Sequence, residues 1–220
     1  MKNTVFVCLI ALASLLATSA KAQSCGNDSI YKLPYKNTYV KSTLAADNEF
    51  RTMRPTYMEI PTFETAKKIL PVPIWAGHEK EIEMYWKAWE IGVGNIRNPQ
   101  PGSGFVSPYI DTAYNGNIFM WDSAFILMFA RYGERFFPFQ KTLDNFYAKQ
   151  HPDGFICREI MANGADCFER YDPTSTGPNL LPWCEMIYYH QFGDTERLHK
   201  IFPALCGYYE WLRLNRTWRN

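Results

Sequence analysis

From His78 to Ile91 the apolar residues Ile82, Tyr85, Trp86 and Trp89 fall at i, i+3, i+4 and i+7, with Glu79, Glu81, Glu83 and Lys87 mostly elsewhere. That period predicts an amphipathic helix with an aromatic stripe. Before it, Thr62 is placed to cap a short helix running to Leu70, which Pro71 and Pro73 end. Trp121 to Tyr132 is apolar nearly all round, so the pattern predicts a buried helix stopped by Gly133, and Pro138 opens another that runs to about Gln150. Asn179 to Phe192 repeats the apolar pattern and closes at Gly193; Phe202-Pro203 then leads into a helix carrying Leu205, Tyr208, Tyr209 and Leu212.

Laying Gly133 on Gly193 also lays Met128, Phe129 and Tyr132 on Tyr188, Tyr189 and Phe192, and Phe137-Pro138 on Phe202-Pro203 after a short insertion. The pattern predicts an all-α chain of helical hairpins repeating every ~60 residues. Runs of alternating apolar residues, the mark of strands, are scarce. The Gly- and Pro-rich stretch from Gly92 to Asn117 is the longest loop of the helical region, and a loop of that length is expected to be functional or to cover something.

The N-terminus has its own logic. Lys2, an apolar run from Val5 to Ala13 continued by Leu15, Leu16 and Ala17, and then Ala20-Lys21-Ala22 compose a signal peptide over residues 1–22, with the mature chain beginning at Gln23. The run is too short to stay as a membrane span. The expected location is therefore secreted or periplasmic. Cys25 follows closely, but Ala22-Gln23-Ser24 lacks the apolar residue of a lipoprotein signal, so ordinary cleavage is expected. Residues 23–60, with Pro34, Pro55 and Pro61 at or near breaks, read as an irregular arm.

Removing Cys8 leaves Cys25, Cys157, Cys167, Cys184 and Cys206, an odd number; a Cys157 to Cys167 bridge and scattered buried thiols both stay open. Neither Cys-x-x-Cys nor clustered His calls for a metal, and no cofactor is expected. With 23 basic and 22 acidic residues the chain has no field to gather nucleic acid or an anionic membrane, so neither is an expected partner. The aromatic share does change the picture: 16% Phe, Trp and Tyr exceeds what a plain core needs. Sugar clefts use such side chains because the apolar faces of pyranose rings stack on them.

Three loops carry the candidate chemistry, each leading to a helix start: Asn115 to Asp122, Asp153 to Glu159, and Asp172 to Asn179. The Trp121-Asp122 pair, the Asp153-Gly154-Phe155-Ile156 turn about 30 residues on and the Thr176-Gly177-Pro178 loop stand in an order that resembles the clan of trehalases, oligosaccharide-processing α-glucosidases and mannosylglycerate hydrolases. The resemblance spans residues 60–214 and is strongest to the mannosylglycerate hydrolase-like branch. It implies that residues 61–220 are the N-terminal portion of an α/α toroid, about half of it, in a hydrolase inverting an α-glycosidic bond in an oligosaccharide or glycoside.

By that resemblance Phe119, Trp121, Asp122, Asp153, Arg158, Glu159 and Thr176 are the expected substrate-binding residues. Trp121 stacks on the sugar and Asp122 accepts from its hydroxyls. A plain helix cap is the other reading of Asp122, and the cost of burying a lone carboxylate favours binding. Arg158 and Glu159 fit a cleft and an exposed ion pair equally. The loop at Thr176 departs from trehalases, which carry an arginine and a glutamine before paired prolines there. Inverting hydrolysis needs an acid and a base ~6.5–9.5 Å apart; in this clan they lie in a Gly-x-Asp-Asn loop and near the C-terminus, so both are expected beyond Asn220. A non-catalytic carbohydrate-binding protein and a polysaccharide lyase on the same toroid are the rival readings. His190 reads as a core or rim histidine, and the sequons at Asn27 and Asn215 matter only in a eukaryotic secretory pathway.

Overall fold

A computed structural model describes residues 41–112 and 115–217. The signal peptide, Cys25, the Asn27 sequon and residues 23–40 of the arm lie outside the described residues. The fold is mostly α-helical: α1 (Thr43–Ala46), α2 (Phe63–Lys67), α3 (Glu79–Gly94), α4 (Met120–Ala130), α5 (Thr142–Ala148), α6 (Leu181–Phe192) and α7 (Thr195–Asn215). Four strands of two residues accompany them. β1 (Ile96–Arg97) pairs antiparallel with β2 (Tyr109–Ile110), and β3 (Ile118–Phe119) with β4 (Glu159–Ile160).

The aromatic stripe of α3 faces inward. Trp89 is 3% exposed and meets Phe129, Phe136 and Phe139 edge-on or tilted, while Trp86 packs against Phe63 of α2. Thr62 caps α2 through its hydroxyl, which accepts from the Thr65 N–H. Further on, α6 begins with Pro182 and ends at Gly193, whose φ of 69° is the left-handed turn that stops helices. Gly133 closes α4 for a different reason. It lies in a 3-10 turn, and a Cβ there would press into the rings of Phe136 and Trp89.

Several expectations are corrected. The arm is not irregular throughout, because α1 packs on α7 and Phe50, in a 3-10 turn at Glu49–Thr52, is 1% exposed. The long loop is part of the core: Phe105, Val106, Tyr109 and Ile110 are buried, and Asn145 of α5 satisfies its backbone by accepting from the Val106 and Ser107 N–H groups and donating to the Ser107 carbonyl. Buried backbone must find such partners. Pro203 does not open a helix but sits inside α7. Asp194, which accepts from the Arg197 N–H, starts that helix earlier, and an internal proline forfeits one intrahelical bond. The match of Phe137-Pro138 to Phe202-Pro203 is therefore not structural. Nor is α4 buried all round, since Trp121, Phe125 and Phe129 are 50, 45 and 37% exposed.

Cys157, Cys167, Cys184 and Cys206 are free thiols, so the Cys157 to Cys167 bridge is absent. Burial pushes the first three up to about 12, the behaviour of inert packed thiols. Among the described residues no helix is long and apolar enough to cross a membrane.

Candidate functional site

One short strand assembles the site. Arg158, at the entry to β4, accepts at its carbonyl from the Met120 N–H at 2.8 Å and donates its own N–H to the Ser175 carbonyl at 2.9 Å. The first bond holds the start of α4 and the second holds the 173–178 loop. A hollow of about 240 Å³ results, lined by Phe119, Met120, Trp121, Asp122, Arg158 and Gly177-Pro178.

Within it Trp121 presents half its surface to solvent and lies against Phe125, ring centroids 5.3 Å apart. Asp122 occupies the first turn of α4, where a negative charge is favoured by the helix dipole. Its side chain caps nothing and has no hydrogen-bond partner among the described residues, which removes the structural reading of it as a cap. Arg158 is held from two sides: its guanidinium lies 4.1 Å over the Phe168 ring and its Nε donates to the Thr174 carbonyl. Its terminal nitrogens make no hydrogen bond among the described residues, and its charge is felt by the Asp172 carboxylate. The hollow thus offers an aromatic face, one unpaired carboxylate and one pre-oriented guanidinium fork.

The structure brings together Phe119, Trp121, Asp122 and Arg158, but not Asp153, Glu159 and Thr176. Asp153 is 6% exposed and fully engaged: Oδ1 accepts from the Phe155 N–H, and Oδ2 accepts from Trp211 Nε1 at 3.0 Å with Arg170 Nε at 3.4 Å. Beside it Gly154, at φ 99°, lies so close to Gly207 of α7 that a Cβ would collide with the Gly207 carbonyl. The Asp-Gly-Phe-Ile turn is a clasp between the end of α5 and α7 and does not line the hollow. Glu159 accepts from Asn117 Nδ2 at 2.8 Å, tying the two sides of the β3–β4 pair. Thr176 Oγ1 accepts from Arg216 Nε; Arg216 also donates to the Arg170 and Asp172 carbonyls and to Ser175 Oγ, fixing the loop that carries Gly177 and Pro178. His190 is exposed on α6.

The sequence singles out the Thr176-Gly177-Pro178 loop, but through Thr176; it is Gly177 and Pro178 that line the hollow. The supporting Phe168 and Arg216 carry no signal in the sequence. Sequence reasoning also missed the cluster behind α6. Arg197 makes a two-pronged contact with Glu185 (Nε to Oε2 2.8 Å, Nη2 to Oε1 2.7 Å) and reaches Asp144 at 2.9 Å; Gln140 and Tyr147 donate to the same Glu185 carboxylate. Burial pushes Asp144 above the usual carboxylate range against the pull of Arg197. Glu134, nearby, is pushed up to about 7 by burial, with backbone donation from Gln140 opposing. These groups lie outside the lining of the hollow and brace the helices.

No group of His, Cys, Asp and Glu able to hold a metal ion occurs among the described residues. Set against known protein families, curated proteins and solved structures, the chain matches none.

Proposed function

We propose that this chain is the sugar-binding, N-terminal portion of an α/α-toroid glycoside hydrolase that acts on an α-linked glycoside with inversion. The reading rests on one observation: segments remote in sequence, Phe119 to Asp122, Arg158 and Gly177-Pro178, converge on one hollow that joins an exposed indole to an unpaired carboxylate. Stacking of a pyranose on Trp121 and hydrogen bonds from its hydroxyls to Asp122 use both at once. Paired helices and the open aromatic side of α4 and α6, with Phe125 and Trp183 in contact at 5.8 Å, fit a toroid whose inner faces are covered by further hairpins. In this reading the catalytic acid and base come from those hairpins.

The hollow holds a single carboxylate, and that observation favours a second reading, a carbohydrate-binding protein without hydrolytic activity. Titration with methyl α-glucoside and methyl α-mannoside tests the shared premise. Asp122→Asn should weaken binding about tenfold with an unchanged melting temperature, the scale of one charge-assisted hydrogen bond. An unchanged affinity refutes the site. Release of sugar from aryl α-glycosides by the 220-residue chain would refute the placement of the acid and base.

A further inference from the structure

Two arginines grip the loop that closes the hollow. Arg158 donates its backbone N–H to the Ser175 carbonyl and its Nε to the Thr174 carbonyl, and its side chain lines the hollow. Arg216, just past the end of α7, is not part of that lining. Its guanidinium rests 4.7 Å over the Trp211 ring. From there Nε donates to Thr176 Oγ1 at 3.0 Å, and Nη2 is shared among the Arg170 carbonyl, the Asp172 carbonyl and Ser175 Oγ at 3.1, 2.9 and 3.0 Å.

Those acceptors are carbonyls and hydroxyls, not a carboxylate. Asp172 turns its own side chain to the Thr174 N–H and hydroxyl, both at 2.7 Å. What Arg216 holds is therefore the path of the backbone, and a planar fork fits several such acceptors where the point charge of a lysine does not. The hold reaches two walls of the hollow. Thr176 is followed directly by Gly177 and Pro178, which form one wall. The Thr174 carbonyl, inside the same held stretch, directs Arg158, which forms another.

We propose that Arg216 is a positioning residue for the sugar site: by shaping residues 170–176 it sets both the Gly177-Pro178 wall and the direction of the Arg158 guanidinium. The proposal rests on the sugar-binding reading above and adds to it a determinant of affinity that makes no contact with the sugar.

Two measurements on the full chain test it. The first needs no ligand. The Arg158 amide is protected by the Ser175 carbonyl of the loop, so Arg216→Ala and Arg216→Lys should speed its hydrogen exchange at least about tenfold, as for a locally opened segment. Arg213→Ala, which removes an exposed guanidinium paired with Glu210 on the same helix, should not. The second is calorimetric titration with methyl α-glucoside and methyl α-mannoside. Both Arg216 variants should bind the preferred glycoside at least about fivefold more weakly, the scale of one hydrogen bond, while Arg213→Ala binds like wild type. In an Arg158→Leu background the loss from Arg216→Ala should shrink, because part of it acts through that side chain. Unchanged exchange at Arg158, wild-type affinity in either Arg216 variant, or losses that simply add to those of Arg158→Leu overturns the positioning role and leaves the sugar site standing. If the wild type binds neither glycoside, the sugar reading falls and the positioning role with it.

Discussion

The two sides of α6 solve opposite problems. On one, Glu185 is 1% exposed yet carries a full set of donors from Arg197, Gln140 and Tyr147. On the other, Trp183 and Met186 are 40 and 42% exposed, and Trp183 continues the aromatic row that begins with Trp121 and Phe125. A carboxylate is inside and an indole is outside, the reverse of what residue type alone assigns. The inner charge is tolerated because its partner meets it with a planar two-pronged contact, the geometry that best offsets desolvation. Of the outer row, Trp121 opens onto the hollow at the start of α4. The back of the helix is committed to structure, and its front stays open.

Mutations should separate the two. The largest effect is expected at the back: Arg197→Leu strands Glu185 and Asp144 without their cation, and breaking a buried pair from one side costs about 3–5 kcal/mol, readable as a shift of the urea midpoint. A loss below about 1 kcal/mol would place the network in water and collapse the contrast. Next comes the α5–α7 clasp. Asp153→Ala leaves the Trp211 N–H without its acceptor and should cost about 1–3 kcal/mol, with sugar affinity of the folded protein unchanged; a selective loss of binding would instead return Asp153 to the cleft.

A smaller effect concerns pH. Glu134 has its carboxyl pushed from the usual 4.5 to about 7 by burial, so the folded state favours the protonated form. Its contribution to stability is fully present below pH 4.5 and is lost as pH rises toward 7. Glu134→Gln should flatten the stability profile across that window and raise the melting temperature at pH 7.5. A profile identical to wild type would show that the group titrates normally. The smallest change in stability belongs to the front: Trp121→Ala should move unfolding by no more than about 0.5 kcal/mol, as for an exposed site, while abolishing ring stacking.

Period and punctuation determined a good part of this protein. The α3 stripe, the Thr62 cap, the Gly193 stop and the mostly helical class were legible because each depends on neighbours within a turn or two of chain. Trp121 and Asp122 stood out for the same reason, as a polar-aromatic pair at a helix start. Only the tertiary structure could separate Asp122 from Asp153, two carboxylates in loop-and-turn motifs that look alike in sequence. One finds no partner and opens into a hollow; the other is captured by Trp211, 58 positions along the chain. The same holds for Gly154, required by the backbone of Gly207, and for Pro203, carried inside a helix whose start Asp194 sets. Local pattern fixes what a segment is disposed to form; which of its polar groups remain free depends on contacts far apart in the chain, and those exist only once the helices have packed.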